Sequence, residues 1–389
     1  MTVDRDDARD PAADPPKRLA FVITRSDSVG GAQVCVQGLA EGMRDAGHRV
    51  RVFVGAPPGV EAPFVDRMRD AGLDVETLPQ LVREIRPGTD LRGLLQLRAA
   101  LARFDPDLVS AHSTKAGWLA RAAAKSLGKP AIFTAHGWLF GPGPLRGRAW
   151  VARHAEWVTA PLADAVVTVS EWDRNAALAH GVVHPDKMVT VYNAVPDLPL
   201  ALRADPKGEP PRLVAVARLE EPKDPLTLLE AAALVRQRLG ERGWTLDLIG
   251  DGPLRPKVEA RLAALDLGER VRLLGTRDDV PAQLAAAQVF ILPSRHEGFP
   301  ISILEAMRAG LPVVSSDVGG VSEALGRAGD RGRLVTPGDP AALADALTEL
   351  ITDPELRARL GAAARADYEA RFTFEQHLHR TWAVYRSVL

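Results

Sequence analysis

Two glutamates, Glu297 and Glu305, are separated by seven residues in the stretch Ser294-Arg295-His296-Glu297-Gly298-Phe299-Pro300-Ile301-Ser302-Ile303-Leu304-Glu305. The apolar run Val289 to Leu292 ahead of them predicts a buried strand, Ile301 to Ala309 a short helix, and Gly310 with Pro312 its stop. The pair therefore brackets a strand-to-helix turn. The first backbone N–H groups of a helix lack internal partners and, with the helix dipole, suit a phosphate. Glu297 in the loop and Glu305 one turn into the helix would place a carboxylate on either side of it, an arrangement that fits a phosphate flanked by sugar hydroxyls. The competing reading is a pair of solvated or helix-capping carboxylates.

Further segments carry chemistry of the same kind. In Ser28-Val29-Gly30-Gly31-Ala32-Gln33, after the strand-like Arg18 to Ile23, adjacent glycines let the backbone turn and approach a ligand with no Cβ in the way, or form only a turn. Phe133-Thr134-Ala135-His136-Gly137-Trp138 ends an apolar strand in a histidine, where open parallel sheets bind ligands; a structural histidine is the alternative. Val216-Ala217-Arg218-Leu219-Glu220-Glu221-Pro222-Lys223 sets two cations five positions apart at a strand end, which suits a pyrophosphate unless both are merely solvated. Gly250-Asp251-Gly252-Pro253 is a glycine-rich turn after a strand and reads as a nucleotide contact. In Gly275-Thr276-Arg277-Asp278-Asp279-Val280, Arg277 is placed beside the nucleotide base, while Asp278 and Asp279 alternatively cap the next helix.

In this order the glycine turn, the strand-end histidine, the Arg/Lys pair and the glutamates resemble glycosyltransferase family 4, retaining enzymes with a glutamate-seven-glutamate signature, over roughly residues 18–385. The resemblance implies a GT-B fold, α/β, with two Rossmann-like domains facing across a cleft. It implies that Gly30 and Gly31 approach the donor phosphate, that His136 lies by the transferred sugar, and that Arg218 and Lys223 hold the diphosphate. Glu297 would orient the sugar hydroxyls and Glu305 the ribose, while the turn Gly298, Phe299, Pro300 and Ile301 supplies N–H dipoles. The cation pair would replace a metal ion, so neither a metal nor another cofactor is expected. No residue stands out as a base on the face opposite the departing phosphate, so a same-face reaction is expected, with a UDP-sugar as donor and an acceptor hydroxyl. His136-Gly137-Trp138-Leu139-Phe140 resembles members that build lipid-linked or capsular glycans. A nucleotide-sugar epimerase or hydrolase of similar fold and a noncatalytic carbohydrate-binding scaffold are the rival readings.

The elements that must position these residues are strands alternating with helices, the rhythm of parallel βαβ units. Strands are expected at 18–25, 48–55, 107–112, 130–135 and 165–170, then at 212–218, 245–250, 271–275, 288–293 and 312–316. A chain of 389 residues suits two domains. The expected division is a disordered tail over 1–16, an acceptor-side domain over 17–195, a proline-rich linker over 196–211, a donor domain over 212–370, and a last helix over 371–389 packing back on the first domain.

A net charge of −1 gives no broad basic field and argues against nucleic acid as the main partner. The single cysteine, Cys35, falls on an apolar helix face and reads as core in a reducing compartment. No apolar run reaches the length of a membrane span, so a cytoplasmic protein is expected, soluble or peripheral on the inner membrane face. Between Trp138 and Trp157, residues Arg146, Arg148, Trp150, Arg153 and His154 occur with no acid before Glu156, which suits an anionic lipid surface, a diphosphate-bearing acceptor or an ordinary loop. His112 either lines that acceptor side with Trp138 and Arg146 or packs inside. Asp105-Pro106-Asp107 mimics a metal-binding pair but reads as a turn entering a strand, and Ser170 and Ser294 lack the partners of a nucleophilic triad.

Overall fold

The computed structural model describes residues 10–26, 30–56, 59–82, 85–138, 140–141 and 145–389; residues 1–9 of the expected tail, Ser28 and Val29 of the glycine turn, Leu139 and the side chain of Arg148 lie outside the described residues. The chain forms two compact units, one running to Asn193 and including Glu375–Leu389, the other Ala194–Phe374.

In unit one, strands β1 (Arg18–Ile23), β2 (Arg49–Gly55), β3 (Asp74–Leu78), β4 (Leu108–His112), β5 (Ala131–Ala135), β6 (Ala165–Thr168) and β7 (Met188–Thr190) form a parallel sheet in the order β3-β2-β1-β4-β5-β6-β7. Helices α1 (Gly31–Asp45), α2 (Pro63–Asp70), α3 (Pro87–Phe104), α4 (Thr114–Ser126), α5 (Arg148–Thr159) and α6 (Glu171–Ala179) connect them. Central strands such as Leu108-Val109-Ser110-Ala111-His112 and Ala131-Ile132-Phe133-Thr134-Ala135 are buried throughout because both sheet faces are covered, which is why they read as unbroken apolar runs. The edge strands β3 and β7 are partly exposed, lack such runs, and were not expected.

In unit two, β8 (Arg212–Val216), β9 (Thr245–Ile249), β10 (Val271–Gly275), β11 (Val289–Leu292), β12 (Val313–Ser316) and β13 (Gly332–Val335) repeat the arrangement as β10-β9-β8-β11-β12-β13, with β13 an unexpected edge strand. Its helices are α7 (Pro225–Leu239), α8 (Arg255–Ala264), α9 (Val280–Ala285), α10 (Ile301–Ala309), α11 (Val321–Leu325), α12 (Pro340–Thr352) and α13 (Pro354–Arg371). The proline-rich stretch is part of this unit: the Arg357 guanidinium donates to the carbonyls of Pro206 and Gly208, and Arg365 forks onto Asp197.

The final helix, α14 (Phe374–Arg386), buries Trp382, Val384 and Tyr385 in the same core as Leu19, Phe21 and Ile132. Residues 10–14, expected within a disordered tail, are ordered by it. Pro11–Ala13 make a single 3-10 turn, and Asp14 accepts from the Trp382 indole at 2.8 Å and pairs with Arg386. Trp382 also lies on the His48 ring, with centroids 4.3 Å apart. Trp382→Ala would leave a cavity among these groups and remove one of the two partners of Asp14, so urea unfolding should show a loss of about 3–5 kcal/mol.

Candidate active site

In both sheets the strand order reverses beside the first strand, between β1 and β4 and again between β8 and β11. Loops leaving the carboxyl ends of those strands diverge to opposite faces and open a crevice where doubly wound sheets bind ligands. Arg218 and Lys223 follow β8, and Glu297 follows β11. The structure brings Lys223 and Glu297 together: the Lys223 ammonium donates to Glu297 Oε1 at 2.5 Å, and the buried Ser294 hydroxyl donates to the same oxygen at 2.6 Å. The two loops are tied by their backbones as well, the Arg295 N–H donating to the Pro222 carbonyl at 2.8 Å and its guanidinium to Asp224 at 2.7 Å. Arg218 makes a looser pair with Glu220 at 3.4 Å. Pro300 supplies no side-chain cap to α10, which ends at Gly310 in the left-handed region, φ 82°. Phe299 is buried against Phe372, Ile301 opens the helix, and Glu305 lies half-buried one turn on. The Glu305 charge partly offsets the burial that pushes Arg308 below its ordinary range.

Glycines set how closely these loops approach. Gly250 has φ +132°, and a Cβ there would stand 2.0 Å from the Ala217 carbonyl oxygen; one on Gly252 would stand 2.5 Å from that of Leu219. Both glycines therefore press on the loop that carries Arg218, a packing role that the nucleotide-contact reading did not foresee. Gly319, which the sequence reading passed over, has φ +55° and would place a Cβ 1.8 Å from the Glu297 carbonyl oxygen, while the Gly320 N–H donates to Gly298 at 2.8 Å. The available signal was the Gly319-Gly320 pair after a strand. Arg277 is engaged: its guanidinium forks onto Asp279 at 2.6 and 2.7 Å. Asp279 stands at the start of α9, but its side chain makes no cap, because it accepts from Arg277 and Gln283 instead.

In unit one, Gly30 precedes α1 with extended backbone and Gly31 opens the helix without a side-chain cap. His136 follows β5. Its Nε2 lies 3.0 Å from His112 Nδ1, the rings are stacked at 5.2 Å, and its buried Nδ1 has no hydrogen-bond partner among the described residues. His112 is wholly buried behind His136, packed on Phe21 and bonded to Ser110, so it does not line an acceptor side. Trp138 is 3% exposed, its indole N–H committed to the Asp173 carbonyl and its ring stacked on Phe140, so it forms wall rather than an open platform. Arg146 is exposed.

The remaining signals have structural roles. Ser170 caps α6 by accepting from the Asp173 N–H. Asp107 accepts from the Arg18 N–H at the entry to β4, and Asp105 pairs with Arg18 and Lys129. Burial pushes the Cys35 thiol up to about 12. Among the described residues, no three His, Cys, Asp or Glu side chains gather as metal ligands, and no helix is long and apolar enough to cross a membrane.

Comparison with known proteins agrees with this geometry. Residues 29–197 match Glycosyltransferase Family 4, and residues 210–353 match Glycosyl transferases group 1. The chain is 30% identical over 271 residues to the UDP-Gal:alpha-D-GlcNAc-diphosphoundecaprenol alpha-1,3-galactosyltransferase of Escherichia coli, covering 66% of this chain and 70% of that one. It is 28% identical over 417 residues to the MMP alpha-(1->4)-mannosyltransferase of Mycolicibacterium hassiacum, covering 96% and 98%. Among solved structures, Anabaena Alr3699/HepE in complex with UDP and glucose superposes with a TM-score of 0.79 at 22% identity, over 96% of this chain and 100% of that one. Sucrose-phosphate synthase from Thermosynechococcus elongatus gives 0.80 at 22%, over 95% and 98%. The two doubly wound units are those of a GT-B glycosyltransferase. The chain belongs to glycosyltransferase family 4 and is an enzyme of the hexosyltransferase type.

Burial holds His48, His112, His136 and His377 of unit one below their ordinary 6.5, His136 and His377 at about 4. The unfolded chain takes up these protons near pH 6.5, the folded chain only at lower pH, so the stability present above 6.5 is lost as pH falls toward 4. The melting temperature should therefore be lower at about pH 5.5 than at about pH 7.5, a range in which ordinary carboxylates stay charged. A flat profile would mean that these rings charge within the fold.

Proposed function

We propose that this enzyme is a retaining, metal-independent transferase that moves a hexosyl group from a UDP-sugar to a hydroxyl of a carbohydrate or lipid-linked acceptor. The observation that carries the reading is the Lys223–Glu297–Ser294 cluster, assembled beside the uncapped start of α10 at the switch point of the second sheet. Arg218 and Lys223 bind the diphosphate and neutralise the charge that grows on it as the glycosidic bond breaks, with the first N–H groups of α10 adding fixed dipoles. Glu297 then orients sugar hydroxyls, Glu305 accepts from the ribose, and His136 supports the transferred sugar. The anomeric carbon loses its bond to the diphosphate oxygen and gains one to the acceptor oxygen on the same face. The acceptor proton passes to the leaving phosphate, which leaves no separate base to be found.

Two relatives support the substrate classes. The Escherichia coli enzyme is named for UDP-Gal and a diphosphoundecaprenol acceptor, and the Anabaena structure holds UDP and glucose. Helix α5 supports a peripheral membrane contact on the cytoplasmic side: Trp150, Val151, Trp157 and Val158 are each more than half exposed, at helical spacing, near the exposed Arg146.

If the cation pair does a metal's work, transfer should persist in excess chelator and fall at least tenfold in Arg218→Ala, which loses a charge-assisted contact of about 1.5–3 kcal/mol. Activity abolished by chelator and restored by manganese would overturn this. Glu305→Ala should weaken UDP binding by about ten- to a hundredfold in calorimetry, and unchanged binding would return Glu305 to a purely helical role.

A further inference from the structure

A chain of hydrogen bonds runs through unit one from the last helix to the strand-end histidine. The Tyr385 hydroxyl of α14 lies 2.6 Å from Ser110 Oγ, Ser110 Oγ lies 2.9 Å from His112 Nε2, and His112 Nδ1 lies 3.0 Å from His136 Nε2. Tyr385, Ser110 and His112 are all buried, and His136 Nδ1 is the one ring nitrogen of the pair without a partner among the described residues. Neutral rings carry one proton each, and a hydroxyl donates once, so the chain has few consistent arrangements.

If protons point toward the helix, His136 Nε2–H donates to His112, His112 Nε2–H to Ser110, and Ser110 to Tyr385. The Tyr385 O–H is then buried without an acceptor. If Ser110 accepts from both neighbours, its own O–H is stranded. Pointed the other way, every internal donor is used: Tyr385 donates to Ser110, Ser110 to His112 Nε2, and His112 Nδ1–H to His136 Nε2. This arrangement leaves one group unused, the His136 Nδ1–H at the end of the chain, whereas each of the others strands a hydroxyl proton in the core and leaves His136 Nδ1 an unused acceptor as well, so the last arrangement prevails.

We propose that Tyr385, Ser110 and His112 are positioning residues that hold His136 in the Nδ1–H tautomer, so that it presents a neutral hydrogen-bond donor, not a base, to an oxygen of the substrate. The assignment of substrate contact to His136 rests on the function proposed above; the tautomer rests on the chain alone. The low pKa of His136, about 4 chiefly through burial, agrees with a ring that stays neutral during turnover. A neutral donor suits a sugar hydroxyl or an acceptor oxygen, where a ring that took up a proton would instead remove it from the reacting group.

The test is nitrogen NMR of the full chain labelled with 15N-histidine, read beside steady-state kinetics. In the unaltered enzyme, His136 should show the Nδ1–H pattern at neutral pH; an Nε2–H pattern would overturn the proposal. His112→Leu removes the donor, so His136 should shift toward Nε2–H. Transfer kcat/KM should then fall about 10- to 100-fold, the order found when a partner that orients a histidine is lost, with the donor KM little changed. His112→Asn, whose amide N–H can replace Nδ1–H, should restore both readouts. Tyr385→Phe removes a single oxygen and should move tautomer and rate in the same direction, which keeps the test open if His112→Leu does not fold. A loss of rate with the tautomer unchanged would count against the relay. Full activity in His136→Ala would instead sink the functional reading of His136 and leave the tautomer result standing.

Discussion

The structure depends on one topological constraint: parallel strands can be joined only by crossovers that return over a sheet face, and such crossovers almost always share one hand. In each unit the first strand is central, and the chain winds outward from it first one way and then the other. The reversal is unavoidable once both faces must be covered, and it leaves two neighbouring strand ends whose loops part. Arg218, Lys223 and Glu297 leave from such a pair in unit two. In unit one His112 ends one of the two reversing strands, and His136 follows the strand beside it.

What turns a crevice into a site is backbone contact. Gly250, Gly252 and Gly319 each sit where a side chain would collide with a carbonyl of the loop next door. The Arg218 and Glu297 loops are held by main-chain contacts and by the Arg295–Asp224 pair. Lys223, Glu297 and Ser294 meet within that frame, so the fold itself assembles the cluster.

Much of this was legible in the sequence because the fold writes strong local signals. Helix α10 begins and ends at Ile301 and Ala309 as its apolar spacing and Gly310 require, and the buried strands appear as apolar runs. The edge strands β3, β7 and β13 were not legible, since a half-exposed or very short strand has no such run. His112 shows a second limit. Both it and His136 look like strand-end histidines, yet the register aligns His112 with Thr134, so His136 stands two residues farther along and reaches the rim while His112 stays in the core. Register is a relation between distant segments and is absent from either one. The same holds for Ser294 and Gly319, whose meaning depends on where the Glu297 loop falls, and for the order imposed on Asp14 by Trp382.

Helix α5 is built inside out. Its inward side is fixed by charge: Arg121 and Glu156, both fully buried, pair at 2.6 Å, with Trp118 and Thr159 completing the bonds and Phe133 beneath the guanidinium. Its outward side carries the large apolar residues Trp150, Val151, Trp157 and Val158. In an ordinary amphipathic helix the residues that hold it in place are the greasy ones, so hydrophobicity cannot be altered without loosening the fold. Here attachment and surface character are governed by different residues. The outer face can become greasier or more polar over evolutionary time with little effect on folding, which frees it to be tuned to whatever surroundings the enzyme meets.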